Sequence, residues 1–210
     1  MISVTLGKMV SLCYNISIMK NYIVFDLEWN QSANGKERSI PHFPFEIIEI
    51  GAVKLNETFQ MVGEFHRLIR PQVYTQMHHA ISEVTHMNMK ELRNSGELFP
   101  DAAADFLSWC GGDGGFCTWG NMDLLELQRN MDYYHMDNPF PKPLFYYDVQ
   151  KLYGLFCREN ARISLDSAVE EQSLLEKRPF HRALDDAYYT GKLLTMLGHE
   201  PGPDTILPFL

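Results

Sequence analysis

Asn21-Tyr-Ile-Val-Phe-Asp-Leu-Glu-Trp29 is the stretch on which the fold turns. β-Branched and aromatic residues crowd it, and it is too short for a helix defined by apolar periodicity, so it reads as a buried strand. A run apolar enough for a core nevertheless carries two acids, Asp26 and Glu28. Side chains alternate across a strand, so residues two apart leave the same face. Two carboxylates side by side repel each other unless a cation lies between them, which makes Asp-x-Glu on a buried strand a candidate divalent-metal site. The plain alternative is a pair of strand-end acids facing water; short acidic motifs match by chance often enough to leave both readings open.

Outward from this strand, Asn30 to Gly35 reads as a loop, and further strands are expected at Glu46–Leu55 and Phe59–Ile69, the latter stopped by Pro71. The pattern then becomes helical with short strands between. Helices are expected at Phe99–Trp109, ended by the Gly111-Gly-Asp-Gly-Gly run, and at Asp123–Tyr134. Phe116–Trp119 and Leu144–Tyr147 read as strands, the second reached through Pro139, Pro141 and Pro143. Asp148 can cap a helix to about Cys157, and Leu165–Leu175 and Leu184–Leu197 complete the set. This order predicts an α/β fold with a mixed sheet, three antiparallel strands followed by parallel strands from crossovers, flanked by helices.

With 210 residues, 45% of them apolar and 12% aromatic, the chain fills one core and is too short for two ordinary domains. Residues 19–210 are expected to form it. Residues 1–18 lack the basic start, clean apolar centre and cleavage site of a secretory signal, and Met19-Lys20 would itself make a plausible start, so 1–18 are expected to be a dispensable leader. Four scattered cysteines, Cys13, Cys110, Cys117 and Cys157, form neither a zinc pair nor a disulfide framework and suit reduced thiols in the cytoplasm. No apolar run approaches the roughly 18 residues that suggest a membrane span. Eighteen Lys and Arg against 27 Asp and Glu give a net charge of −9, which excludes a protein that grips a polyanion through a general basic surface. A nucleic acid would need a local reason to bind.

Two later segments carry chemistry. In His181-Arg-Ala-Leu-Asp-Asp186 the terminal pair is five apart, about 500° around an ideal helix, so both reach one site only if His181 precedes the helix. Pro179 disfavours a helix entering from upstream and makes that placement natural. Asp186 shares its helical side with Tyr189, Thr190 and Leu193. A histidine beside acids is a reasonable general base; it could equally be a surface residue beside a first-turn acid favoured by the helix dipole. Asp123, after Trp119-Gly-Asn-Met, is read most simply as a first-turn acid, although ligands also bind at the ends of sheet strands. His78-His79 diverge on any regular backbone and lack a third ligand, and the aromatics from Phe140 to Tyr147 suit packing.

Together, Phe25-Asp-Leu-Glu28, Asn121-Met-Asp123 and His181-Arg-Ala-Leu-Asp-Asp-Ala187 resemble the three motifs of the DEDDh, or DnaQ-like, 3′→5′ exonucleases with an RNase H-like fold. Glu46-Ile-Ile-Glu-Ile-Gly-Ala-Val53 is similar to that family's second strand, and Ile81-Ser-Glu-Val-Thr-His-Met87 to its Leu-Thr-Gly-Ile segment, with Val84-Thr-His86 departing from the usual Leu-Thr-Gly. The resemblance runs from about Tyr22 to Leu197 and looks closest to the branch of KapD-like and Eri-type exonucleases. It implies that Asp26, Glu28, Asp123 and Asp186 hold two divalent ions, Mg²⁺ or Mn²⁺, with Asp26 between them and Asp123 reaching one through water. His181 would take the proton of the attacking water, and Leu27, Trp29, Thr85 and Met87 would hold the terminal base. The implied substrate is a single-stranded or 3′-frayed end of RNA or DNA, shortened to nucleoside 5′-monophosphates. Two other readings stay open: a catalytically silent nucleic-acid-binding or regulatory module of the same fold, and another metal-dependent hydrolase such as a phosphatase. With so few basic residues, affinity would come through the ions and a short terminal pocket, with a shallow salt dependence.

Overall fold

The computed structural model describes residues 21–35, 38–112, 114–140, 146–157 and 162–199. The leader expected at residues 1–18 and the first half of the strand expected at Leu144–Tyr147 lie outside them. Five strands form one sheet: β1 (Asn21–Asn30), β2 (Glu46–Asn56), β3 (Met61–Leu68), β4 (Gly114–Thr118) and β5 (Tyr146–Asp148), in the order β3-β2-β1-β4-β5. β1–β2 and β2–β3 are antiparallel, β1–β4 and β4–β5 parallel, which is the mixed sheet expected. The helices are α1 (His79–Thr85), α2 (Met89–Ser95), α3 (Phe99–Cys110), α4 (Met122–Tyr133), α5 (Val149–Cys157), α6 (Leu165–Glu171) and α7 (Ala183–His199).

Alternation along β1 sorts its residues between two cores. Ile23, Phe25 and Leu27 pack with Ile50, Ala52 and Phe65 beneath Ala102, Ala103 and Phe106 of α3 and Leu124, Leu127 and Met131 of α4. Val24 packs on the opposite face with Val53, Val149 and Tyr153 of α5, and Tyr189, Leu193 and Leu197 of α7. Burying a side chain of this size contributes roughly 1.5–3 kcal/mol, so the apolar positions hold β1 in the centre while Asp26 and Glu28 ride on the α7 face.

Two element boundaries differ from expectation for reasons of turn chemistry, and β4 is shifted towards its amino-terminal side. β3 starts at Met61 because Asn56 gathers the residues before it: its Oδ1 accepts from the N–H groups of Thr58 and Gln60, at 3.0 and 2.9 Å, and Phe59 is left-handed with φ 57°. α6 stops at Glu171 because Ser173 turns left-handed, φ 55°, and the Leu174 N–H returns to the Val169 carbonyl. β4 begins at Gly114 and ends at Thr118, before Trp119. No apolar periodicity announces the short helices α1 and α2; Leu92 of α2 packs on Ile48 of β2, and the loop leading into α1 is tied to the sheet by side chains. Asn30 donates to the Tyr74 and Gln76 carbonyls and accepts the His78 N–H, and buried Glu46 accepts the N–H groups of Gln72, Val73 and Tyr74. Asp148 caps α5 as expected, accepting the Lys151 N–H at 3.0 Å. Among the described residues no helix is long and apolar enough to cross a membrane, and Cys110, Cys117 and Cys157 are free thiols. Burial pushes the Cys110 thiol up to about 12, so it stays protonated.

Candidate active site

The parallel ladder between β1 and β4 runs from Asn21–Gly114 only to Val24–Cys117, and β4 then ends. The carboxyl-terminal half of β1 thus runs on without β4 beside it, at the strand ends where open α/β sheets bind ligands. Gly120, left-handed at φ 96°, turns the chain from β4 into α4 and places Asp123 in the first helical turn. Its Oδ1 accepts the Leu27 N–H at 3.2 Å, so Asp123 supplies the partner that β4 no longer provides.

On the α7 face, Asp26 stands opposite Gly51 and Glu28 opposite Glu49. A bulge follows Glu28, so the alternation that aligns the two acids ends there. α7 arrives over Gly51 at very close range: a Cβ on residue 51 would lie 2.0 Å from the Leu184 nitrogen. That approach delivers Asp186, in the first turn of α7, to β1. One carboxylate oxygen each from Asp26, Glu28 and Asp186 lies within 4.8 Å of the others, a set of hard oxygen donors that suits a divalent cation. His181 sits in the loop before α7, where the five-residue spacing and Pro179 put it, with an exposed side chain and left-handed backbone, φ 64°. Its N–H donates to both Asp186 oxygens at 3.3 and 3.2 Å.

Burial first, and mutual repulsion second, make these acids hold their protons. Asp26 is raised well above the usual carboxylate range by burial and by Asp123, Asp186 and Glu28. Burial and the charges of Asp186, Glu49 and Asp123 bring Glu28 to about 8, against a partial offset from Arg182. Asp123 and Asp186 each rise to about 7, again chiefly by burial, although the N–H groups of Leu27 and His181 oppose the rise. These groups bind protons more tightly folded than unfolded, so their contribution to stability is fully present below the ordinary carboxylate pKa of about 4 and is lost as pH rises from there through about 7–8. With divalent ions chelated, the melting temperature should therefore fall by at least about 5 °C between pH 5.5 and 8.5, the amount expected if even one of these carboxyls behaves so. Millimolar Mn²⁺ at pH 8.5 should restore it. Thermal melts across this grid test the point; a melting temperature flat in pH, or indifferent to Mn²⁺, would contradict it.

The four residues assigned to the terminal base are less exposed. Leu27 belongs to the α3–α4 core, and Met87, 1% exposed, packs with Ile48 and Leu92. Thr85 is 2% exposed and uses its hydroxyl internally, donating to the Ile81 carbonyl and accepting the Met87 N–H. Trp29 is half-buried, its ring 5.5 Å from that of Phe45. His79 pairs with Glu83 on the surface, and neither it nor His78 joins a cluster of metal-capable groups among the described residues.

Sequence reasoning passed over Glu49, Arg182 and Gly51. Glu49 is fully buried and accepts from Arg182 Nε at 3.2 Å, Arg182 Nη2 at 2.8 Å and the Ala183 N–H at 3.0 Å, with His66 Nε2 at 2.7 Å. Burial alone would push its carboxyl up, but the bonds from His66, Arg182 and Ala183 hold it below its ordinary value. The available signal was the alternation of Glu49 and Gly51 on β2, the register partners of Glu28 and Asp26.

The exonuclease family model RNase_T matches residues 23–194. A Bacillus subtilis (strain 168) protein named "Probable 3'-5' exonuclease KapD" is 28% identical over 200 residues, covering 88% of this chain and 90% of its own length. The nuclease domain of 3'hExo, described as a DEDDh family member bound to rAMP, superposes with a TM-score of 0.70 at 22% identity, over 86% of this chain and 92% of that one. E. coli ExoI, in a zinc-bound complex with ssDNA, superposes with a TM-score of 0.71 at 14% identity, over 87% of this chain and 41% of its own. At these identities the two structural likenesses establish a shared RNase H-like fold.

Proposed function

The chain belongs to the RNase_T exonuclease family, and from that premise we propose that it shortens single-stranded or 3′-frayed RNA or DNA from the 3′ end, releasing nucleoside 5′-monophosphates. The observation that carries this reading is the convergence of Asp26, Glu28 and Asp186 within 4.8 Å, with Asp123 one backbone amide away. Four buried or half-buried carboxyls brought together at a cost in repulsion, which Arg182 offsets only in part at Glu28, are a poor structural core and a good container for positive charge. Asp26, Glu28, Asp123 and Asp186 would hold two Mg²⁺ or Mn²⁺ ions. When bound, these ions supply Lewis-acid activation of the attacking water and neutralise charge building on the leaving oxygen.

The remaining work falls to the chain itself. His181, in the loop beside Asp186, accepts the proton of the attacking water, a task suited to an imidazole near neutral pH. The terminal nucleotide lies along Leu27–Trp29 and the Thr85–Met87 segment. Leu27 lies on the face of β1 opposite the acids, and Thr85 and Met87 are 2% and 1% exposed, so these three would meet the nucleotide through their main chain; half-buried Trp29 offers the ring on which a base can stack for about 1–3 kcal/mol. The Bacillus relative is named "Probable 3'-5' exonuclease KapD" and ExoI was solved with ssDNA, which supports the polarity and the single-stranded substrate. The free thiols suit a cytoplasmic enzyme.

Incubation of 5′-labelled, 3′-tailed oligonucleotides, one RNA and one DNA, with Mn²⁺, Mg²⁺ or a chelator tests the proposal. The expected result is a ladder of products retaining the 5′ label, with mononucleotides released, in the metal lanes alone. Internal cuts, shortening from the 5′ end or release of inorganic phosphate alone would refute it, and binding of the oligonucleotide without shortening would support the silent binding module.

A further inference from the structure

We propose that Glu49 is a positioning residue that anchors the 178–183 segment on β2 and thereby fixes His181 relative to the β1 carboxylates; for its catalytic consequence this rests on the reading of His181 given above. Glu49 is not available as a cation ligand. Its Oε1 receives Arg182 Nε and Nη2 and lies 2.7 Å from His66 Nε2, and its Oε2 receives Arg182 Nε and the Ala183 N–H. Those contacts saturate a carboxylate, whose acceptor positions number about four. The planar guanidinium of Arg182 meets it with two nitrogens, a geometry that fixes direction as well as distance. Glu49 thus holds, by side chain and by main chain, the two residues that follow His181.

His181 needs such a hold. It is one of the residues with positive φ, and an L-residue with a Cβ keeps that backbone only where the surroundings impose it. Downstream, Arg182 and Ala183 are fastened to Glu49, and Gly51 leaves the space in which the Ala183–Leu184 backbone settles against the strand. Across the turn, the His181 N–H is taken by Asp186. Upstream, Arg178 bonds Asp185 at 3.0 Å and Glu64 at 3.3 Å, and its carbonyl accepts the Tyr189 hydroxyl. Only 179–181 span the gap between these fastenings. Without the Glu49 carboxylate the downstream fastening fails, residue 181 can relax to an ordinary extended backbone, and the imidazole moves with it.

Two variants separate positioning from general structure: Glu49→Gln, which keeps the shape and removes the charge, and Arg182→Lys, which keeps the charge and removes the fork. Hydrogen exchange on the chelated proteins should show peptides covering 178–183 exchanging about tenfold faster in Glu49→Gln, with β1 unchanged. On the oligonucleotide, kcat should fall about 10–10²-fold while KM and Mn²⁺ affinity stay within about threefold, as expected for a misplaced group that binds neither. Arg182→Lys should fall between the two. In a His181→Ala background Glu49→Gln should cost less than about threefold more, because both changes remove one function. Unchanged exchange at 178–183, loosening that extends to β1, or a kcat loss that persists in full on top of His181→Ala would each overturn the proposal. A wild-type chain that leaves the oligonucleotide intact overturns the proposed function instead, and the exchange comparison on that same protein still decides the anchor.

Discussion

Asp26→Ala abolishes strand shortening, lowering turnover at saturating Mn²⁺ by about 10⁴-fold or more, which corresponds to about 5.5 kcal/mol of transition-state stabilisation. Of the four acids Asp26 is the one pressed by all its neighbours, with Asp123, Asp186, Glu28 and Glu49 raising its proton affinity after burial has done so. It is therefore the carboxylate most central to the charge of the site, and the one whose loss most weakens the hold on both proposed ions. The same variant is expected to fold. A methyl group replaces a half-buried carboxyl that repels its neighbours, so in chelator at pH 8 the melting temperature should equal or exceed that of the wild type. The rise on adding Mn²⁺ should shrink. Single-turnover degradation of a 5′-labelled oligonucleotide, paired with melts of the same preparation, reads both quantities. Residual turnover within tenfold of wild type would remove Asp26 from the site.

His181→Ala should reduce turnover by roughly 10²–10⁴-fold, the usual worth of a general base, while leaving the Mn²⁺-dependent rise in melting temperature intact. The backbone makes this substitution unusually clean. Alanine also carries a Cβ, so the left-handed conformation at residue 181 is as strained as before, and the Asp186 carboxylate still finds the residue 181 N–H. What is deleted is the imidazole. Binding of Mn²⁺ lost together with turnover would show that the side chain serves the acidic cluster, and unchanged turnover would take His181 out of the mechanism.

The difference between what could and could not be seen in the sequence is one of range. The β1 run announces itself because burial requires a dense apolar stretch, and alternation alone sets Asp26 and Glu28 on one face. His181 could be placed outside α7 from a spacing and a proline. Those are local facts. The tie between Asp123 and the Leu27 N–H depends on β4 ending early, and the partners are 96 residues apart. Glu49 and Arg182 are 133 apart, and each is an ordinary charged residue until register places them together. Turn chemistry accounts for the misjudged ends: Asn56 extends the connecting turn through residues 59 and 60, which read as strand, and Ser173 ends a helix whose apolar pattern runs on to Leu175. The burial of Leu27, Thr85 and Met87 is likewise set by neighbours no motif names.

The left-handed backbone at residue 181 also bears on engineering. Glycine adopts that conformation freely, and relieving it returns about 1–2 kcal/mol. A screen that rewards heat tolerance alone would accordingly favour glycine at 181 and discard the imidazole in the same step. Position 181 is thus a place where thermal robustness and turnover are set against each other, and a library built on this scaffold should hold it constant.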